Sequence, residues 1–251
     1  MPEPTMNEES TAQTYKYIRN KILKGEYLPG RPLRAELLSK EIGVSRTPVR
    51  DALRLLEVDG LVTIRPRQGA IVRYMSLEEY KDLCGFRQAL ETYAASLAAI
   101  NRTDSELEEI HHAVLAMKDF SKRPDEWFRN EDVSNKTVKE DIRFHLGVMS
   151  ASHNALIKGE IVRLHMIDRV VSGPSVMYVT GSLTSEAMLD EQRKNIVRTA
   201  KEHTEVYAAI EARNSEAAAA AMKSHIQDVI DHTIQRKGEK ETSQVSSDLG
   251  Y

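Results

Sequence analysis

Apolar residues recur at helical spacing over most of the chain. Tyr15, Ile18, Ile22 and Leu23 share one face of a helix over 10–24, which the stretch Lys24 to Gly30 ends with Gly and Pro. Helices follow at about 33–42 and 46–58. Between them Gly43 suits a left-handed C-cap, Ser45 an N-cap whose hydroxyl accepts an amide, and Pro48 a first helical turn. Val49, Leu53 and Leu56 face inward, toward Leu37, Leu38 and Ile42. After Asp59-Gly60 the period changes. Leu61-Val62-Thr63-Ile64 and Ala70-Ile71-Val72 are apolar, β-branched runs, and Arg65-Pro66-Arg67-Gln68-Gly69 between them can form a hairpin loop. Helix, helix, helix, hairpin is the order of a winged helix-turn-helix.

From Ser76 the helical period returns and persists. Ser76 followed by Glu79 has capping-box spacing. The pattern predicts helices near 77–100, 104–119, 135–151, 154–179, 184–212 and 215–236, with a short one near 124–130. The expected fold is therefore mainly α: an N-terminal winged helix-turn-helix with a small β-hairpin wing, then an antiparallel bundle of six or seven helices. Strands are expected only in the wing. The expected limits are a disordered stretch at 1–9, a DNA-binding domain at 10–74, a helical domain at 76–236 and a disordered polar tail at 237–251.

Composition sharpens this picture where it is uneven. The 251 residues carry a net charge of −3, which argues weakly against nucleic acid as partner. Residues 1–74, however, hold 13 Lys/Arg against 9 Asp/Glu, while the rest holds 22 against 29, so a basic module precedes an acidic body. The one cysteine, Cys84, excludes an internal disulfide and suits a reducing compartment. No apolar run approaches the ~20 residues of a membrane span, and the acidic, polar N-terminus is unlike a signal peptide. The expectation is a cytoplasmic protein.

Two constellations carry chemistry. Arg46 and Arg50 are four apart on the second helix of the helix-turn-helix, and Arg grips a guanine edge or a phosphate bidentately. Ser45 and Thr47 can bond phosphates or bases, Arg65 and Arg67 crown the hairpin, and Gly69 allows close approach of backbone to DNA. Spacing alone also allows an ordinary helical hairpin with solvated arginines. In the second domain, Asp141 and His145 project from one helix face. His203 and His225 lie on stripes with apolar neighbours, where an imidazole needs a partner. One Asp and three His would suit a divalent transition metal, zinc first and nickel, manganese or iron after it. Surface or satisfied core histidines remain the alternative.

Residues 10–73 resemble the winged-helix domain of the GntR family of bacterial transcription regulators, through Leu28-Pro29-Gly30, the run from Gly43 to Leu53 with its Val-Ser-Arg-Thr-Pro-Val-Arg core, and the segment from Leu56 to Leu61. The resemblance implies a homodimer on a short palindromic stretch of double-stranded operator DNA. It implies operator contacts from Ser45, Arg46, Thr47 and Arg50, and a wing tip at Gln68 and Gly69 entering the minor groove. Many members place an operator-reading Arg two positions before Leu38. Here Glu36 stands there and Arg34 lies two residues earlier.

Residues 77–236 resemble the FCD effector domain of the FadR-like subfamily, through the run from Phe86 to Glu91, Asp141-x-x-Phe144-His145, Ser152-His153-Asn154, Glu202-His203 and Met222-x-x-His225. In its metal-binding branch the ligands stand where Asp141, His145, His203 and His225 stand here. The implied function is a ligand-responsive regulator, a repressor in most relatives, governed by a small carboxylate metabolite bound to the metal. Arg87 and Asn154 match positions that could contact this effector. Arg87 could instead form a surface pair with Glu91, and Asn154 could simply cap the next helix. The rival reading is a metal-dependent enzyme fused to a DNA-binding module. It lacks a general base beside the site, because Glu202 diverges from its neighbour His203 by ~100° around the helix.

Overall fold

The computed structural model describes residues 6–66, 69–129, 133–172 and 186–248. Ten helices and three short strands are found among them, in two compact units.

The first unit covers residues up to Met75 together with 165–181, of which 165–172 are described. Helix α1 spans Met6–Leu23, α2 Ala35–Ile42 and α3 Arg46–Val58. Gly43 closes α2 at φ 78°, in the left-handed region where a Cβ would be strained, and its N–H bonds the Ser39 carbonyl. Ser45 holds the extended conformation of an N-cap, but its hydroxyl makes no capping bond, contrary to the sequence expectation. An exposed hydroxyl at a solvated helix end loses little by staying with water.

The sheet has one more strand than the wing supplies. Strands β2 (Val62–Arg65) and β3 (Gly69–Val72) form the expected hairpin, with Arg65 opposite Gly69. Strand β1, Pro32–Leu33, joins the other edge of β3, so the order is β1-β3-β2, all antiparallel. Two residues with a proline carry no alternation, so nothing local announces this strand. Its Pro costs little on an edge.

The core of this unit gathers Ile18, Ile22, Leu33, Leu38, Val49, Leu53, Leu56, Leu61 and Val72. Leu37 is the exception: it is 58% exposed, because its neighbour Leu38 takes the inward face. Val170 also belongs to this core, and Arg169 Nε donates to the Leu23 carbonyl at 3.1 Å. The segment 165–172 thus packs with the N-terminal unit, not with the helical domain expected over 76–236. An apolar stripe shows that a helix face is buried, not what buries it.

The second unit is helical: α4 (Leu77–Asn101), α5 (Asp104–Phe120), α6 (Asp125–Phe128), α7 (Val133–Ala151), α8 (Ala155–Ser172, up to Leu164 in this unit), α9 (Glu186–Glu211) and α10 (Ser215–Asp248). The capping box at Ser76 and Glu79 is present, and Thr103 and Glu106 form a second. Helix α4 packs against α7, α9 and α10, with Ala94, Ala95, Ala98 and Ala99 letting the backbones approach.

Two expectations of disorder give way to helix. Residues 6–9 belong to α1, and α10 runs on through 237–248. The run Gln235-Arg236-Lys237-Gly238-Glu239-Lys240-Glu241 is polar but built mostly of good helix formers. Polarity alone was a poor sign of disorder there. Residues 1–5 and 249–251, and the link expected around 180–182, lie outside the described residues.

Candidate metal centre and nucleic-acid interface

Three helices of the second unit converge on one buried point. Asp141 and His145 come from α7, one turn apart, His203 from α9 and His225 from α10. The ring nitrogens meet Nε2 to Nε2: His203 to His225 at 3.3 Å, and His225 to His145 at 3.3 Å. Asp141 Oδ1 lies 3.8 Å from His145 Nε2 and 3.5 Å from His203 Nε2. One ligand atom from each residue falls within 4.8 Å of every other.

These spacings fit a shared cation. Two atoms ~2.1 Å from one ion stand about 3.0 Å apart at a right angle and about 3.4 Å apart at the tetrahedral angle. Buried lone pairs aimed at one another repel unless a proton or a cation lies between them. The three imidazoles are sealed, with side-chain exposures of 0 or 1%, whereas Asp141 is 35% exposed. The set therefore opens on the side of Asp141, and a fifth donor would enter there.

Carboxylates behind the ring nitrogens orient two of the rings. His145 Nδ1 lies 2.5 Å from Glu91 Oε2, and His225 Nδ1 lies 2.7 Å from Glu202 Oε2. A carboxylate there holds a proton on Nδ1 and leaves the Nε2 lone pair for a metal. Phe144 stacks on His203 at 3.7 Å between ring centroids. Arg87 completes the line, donating from Nε to Glu91 Oε1 at 3.0 Å. The Arg87–Glu91 pair is buried, at 4% and 0% exposure, not the surface pair that the sequence left open. Burial opposes a proton on His145, but the Glu91 carboxylate outweighs it and the pKa is raised. Burial, with His225 and His145 as like-charge neighbours, pushes His203 well below its ordinary value.

The four converging residues are those the sequence pattern marks, whereas Glu91 and Glu202 behind them carry no such mark. Glu202, next to His203 in the chain, meets His225 across the helix interface. Asn154 accepts from the Ile157 N–H at 3.2 Å, so its side chain caps α8.

In the first unit, Ser45, Arg46, Thr47 and Arg50 are all exposed at the leading end of α3, while Pro48 and Val49 beneath them are buried. Arg34, at the N-cap of α2, lines one open depression with Arg46, Arg50 and Gly69. Glu36 lies in the same depression, 3.2 Å from Arg46. Arg65 is exposed at the end of β2. Arg67 and Gln68 lie outside the described residues.

Comparison with known proteins agrees with both halves. Residues 10–72 match the model of bacterial regulatory proteins of the gntR family, and residues 82–228 match the FCD domain. The HTH-type transcriptional regulator LutR of Bacillus subtilis is 30% identical over 226 residues, covering 84% of this chain and 94% of that protein. The HTH-type transcriptional repressor RspR of Escherichia coli is 25% identical, over 90% of each. Among solved structures, McbR/YncC of E. coli superposes with a TM-score of 0.68 at 21% identity, over 91% of this chain and 98% of that one, a likeness of fold.

Proposed function

The chain belongs to the gntR family of bacterial regulatory proteins and carries an FCD domain, and from that premise we propose how it regulates. It is a transcription regulator; its families and relatives are regulators rather than enzymes. Among the described residues no helix is long and apolar enough to cross a membrane. In our reading it acts as a homodimer and as a repressor, the second by likeness to the repressor RspR. Two copies of α3 would enter successive major grooves of a palindromic operator, half-sites ~34 Å apart. Arg46 and Arg50 read bases, Ser45 and Thr47 bond phosphate or base, and Arg34 joins them from α2. Arg65, Arg67, Gln68 and Gly69 serve as the wing.

Asp141, His145, His203 and His225 hold a divalent transition metal, and the observation that carries this is the meeting of three Nε2 atoms beside Asp141. Such an ion supplies a Lewis-acidic anchor for one carboxylate oxygen of a small metabolite. Glu91 and Glu202 keep His145 and His225 in the tautomer that faces the ion. In this reading Arg87, held against Glu91 at 3.0 Å, is the cation that attracts the same carboxylate. It sits on α4, the helix that begins directly after the winged unit, so a ligand engaging it acts on the element that follows the DNA-reading domain. Only a ligand that favours one arrangement over another changes DNA affinity.

Selection of duplexes from a random library tests the DNA half. The full chain should enrich a two-fold repeated half-site. Arg46→Ala or Arg50→Ala should each lose it, about tenfold or more in affinity, with unchanged helical circular dichroism. Enrichment of the same motif by both variants would refute the assignment. For the effector half, small di- and tricarboxylates titrated onto the enriched complex should change its Kd about fivefold or more, and His203→Ala with His225→Ala should remove the response.

A further inference from the structure

The surface that carries Arg34, Arg46 and Arg50 also carries an acid. Glu36 stands in the first turn of α2, and its side chain is 56% exposed. Its Oε1 lies 3.2 Å from an Arg46 Nη2 and 3.9 Å from Lys40 Nζ. Exposed pairs of this kind contribute little to a fold, about 0–1 kcal/mol. The structural gain does not explain a carboxylate placed where a polyanion is to dock.

The chemistry of base edges supplies a role. A carboxylate only accepts hydrogen bonds. Guanine offers acceptors in the major groove, and thymine an acceptor and a methyl group. Adenine offers a donor beside an acceptor, and cytosine an amine donor with no acceptor on its own edge. A carboxylate is repelled or half-repelled by the first three and welcomed by the last. The Arg46 guanidinium meanwhile offsets the repulsion between Glu36 and nearby phosphates.

We propose that Glu36 is a base-reading residue that accepts a hydrogen bond from the amine of a cytosine in each half-site, alongside Arg46. This rests on the reading of the first unit as an operator-binding domain.

The test is the same duplex selection, run on the full chain and on Glu36→Gln and Glu36→Ala. Both substitutions sit on the surface, and relative enrichment within each selection removes the general gain in DNA affinity from losing a negative charge. The unaltered chain should enrich cytosine at one position of each half-site. Glu36→Gln, which both donates and accepts, should change that preference to adenine. Glu36→Ala should lose the preference there by about tenfold and leave the other positions as they were. If both variants enrich the same motif as the unaltered chain, or lose affinity without any change of base, Glu36 is not a reader. If the unaltered chain enriches no motif at all, the operator-binding reading itself fails, and Glu36 with it.

Discussion

Glu202 and His203 are neighbours in the chain with separate tasks. His203 turns its Nε2 into the cluster, while Glu202 faces the back of His225 at 2.7 Å. Glu91 does the same for His145 from α4. Neither role was legible in the sequence, because each pairing joins residues on different helices and no spacing rule reaches across them. The Asp141–His145 pair was legible, since four residues on one helix bring two side chains together wherever the helix lies. The two glutamates are positioning residues. Glu91→Gln and Glu202→Gln should each lower metal affinity about 10- to 100-fold, measured by competition with a chromophoric chelator. An unchanged affinity in both would show that the rings are oriented by something else.

At the level of elements, the turn between α2 and α3 was read correctly in its backbone and only partly in its side chains. Helix α3 occupies 46–58 as expected, and Gly43 takes the left-handed conformation that its position required. Strand β1 and the long continuation of α10 escaped, the first because it is two residues held by a partner strand, the second because a polar run can still be helical. The glycines of this unit provide a graded test. At Gly43 (φ 78°) a Cβ would meet nothing within 4 Å. Gly43→Ala should therefore cost only the backbone strain, about 1–2 kcal/mol. At Gly60 (φ 76°) a Cβ would stand 2.8 Å from Ile167 Cδ1, so Gly60→Ala adds a clash to the strain. Urea denaturation should rank Gly60→Ala as the more destabilising; the reverse order would contradict the packing of 165–172 in this unit.

For the whole molecule, the basic first 74 residues and the acidic remainder anticipated two kinds of partner, and the chain belongs to a family that joins a DNA-binding domain to an FCD domain. Protons connect metal to pH in a definite direction. His145 is raised above its ordinary 6.5, so its protonation contributes stability below 6.5 that is lost as pH rises through the raised value. His203 is lowered, so its contribution is full above 6.5 and is lost as pH falls toward the depressed value. A metal takes neutral imidazoles only, and a proton must leave His145 first. Apparent metal affinity should therefore climb between about pH 5 and about pH 8. A flat profile over that range would argue against histidine ligation.

The most direct measurement is elemental analysis of the full chain purified without chelators, beside His203→Ala with His225→Ala. The converging Nε2 atoms predict about one transition-metal ion per chain in the first and none in the second. An unaltered chain free of metal, or a variant that retains it in equal amount, would contradict the metal centre at Asp141, His145, His203 and His225.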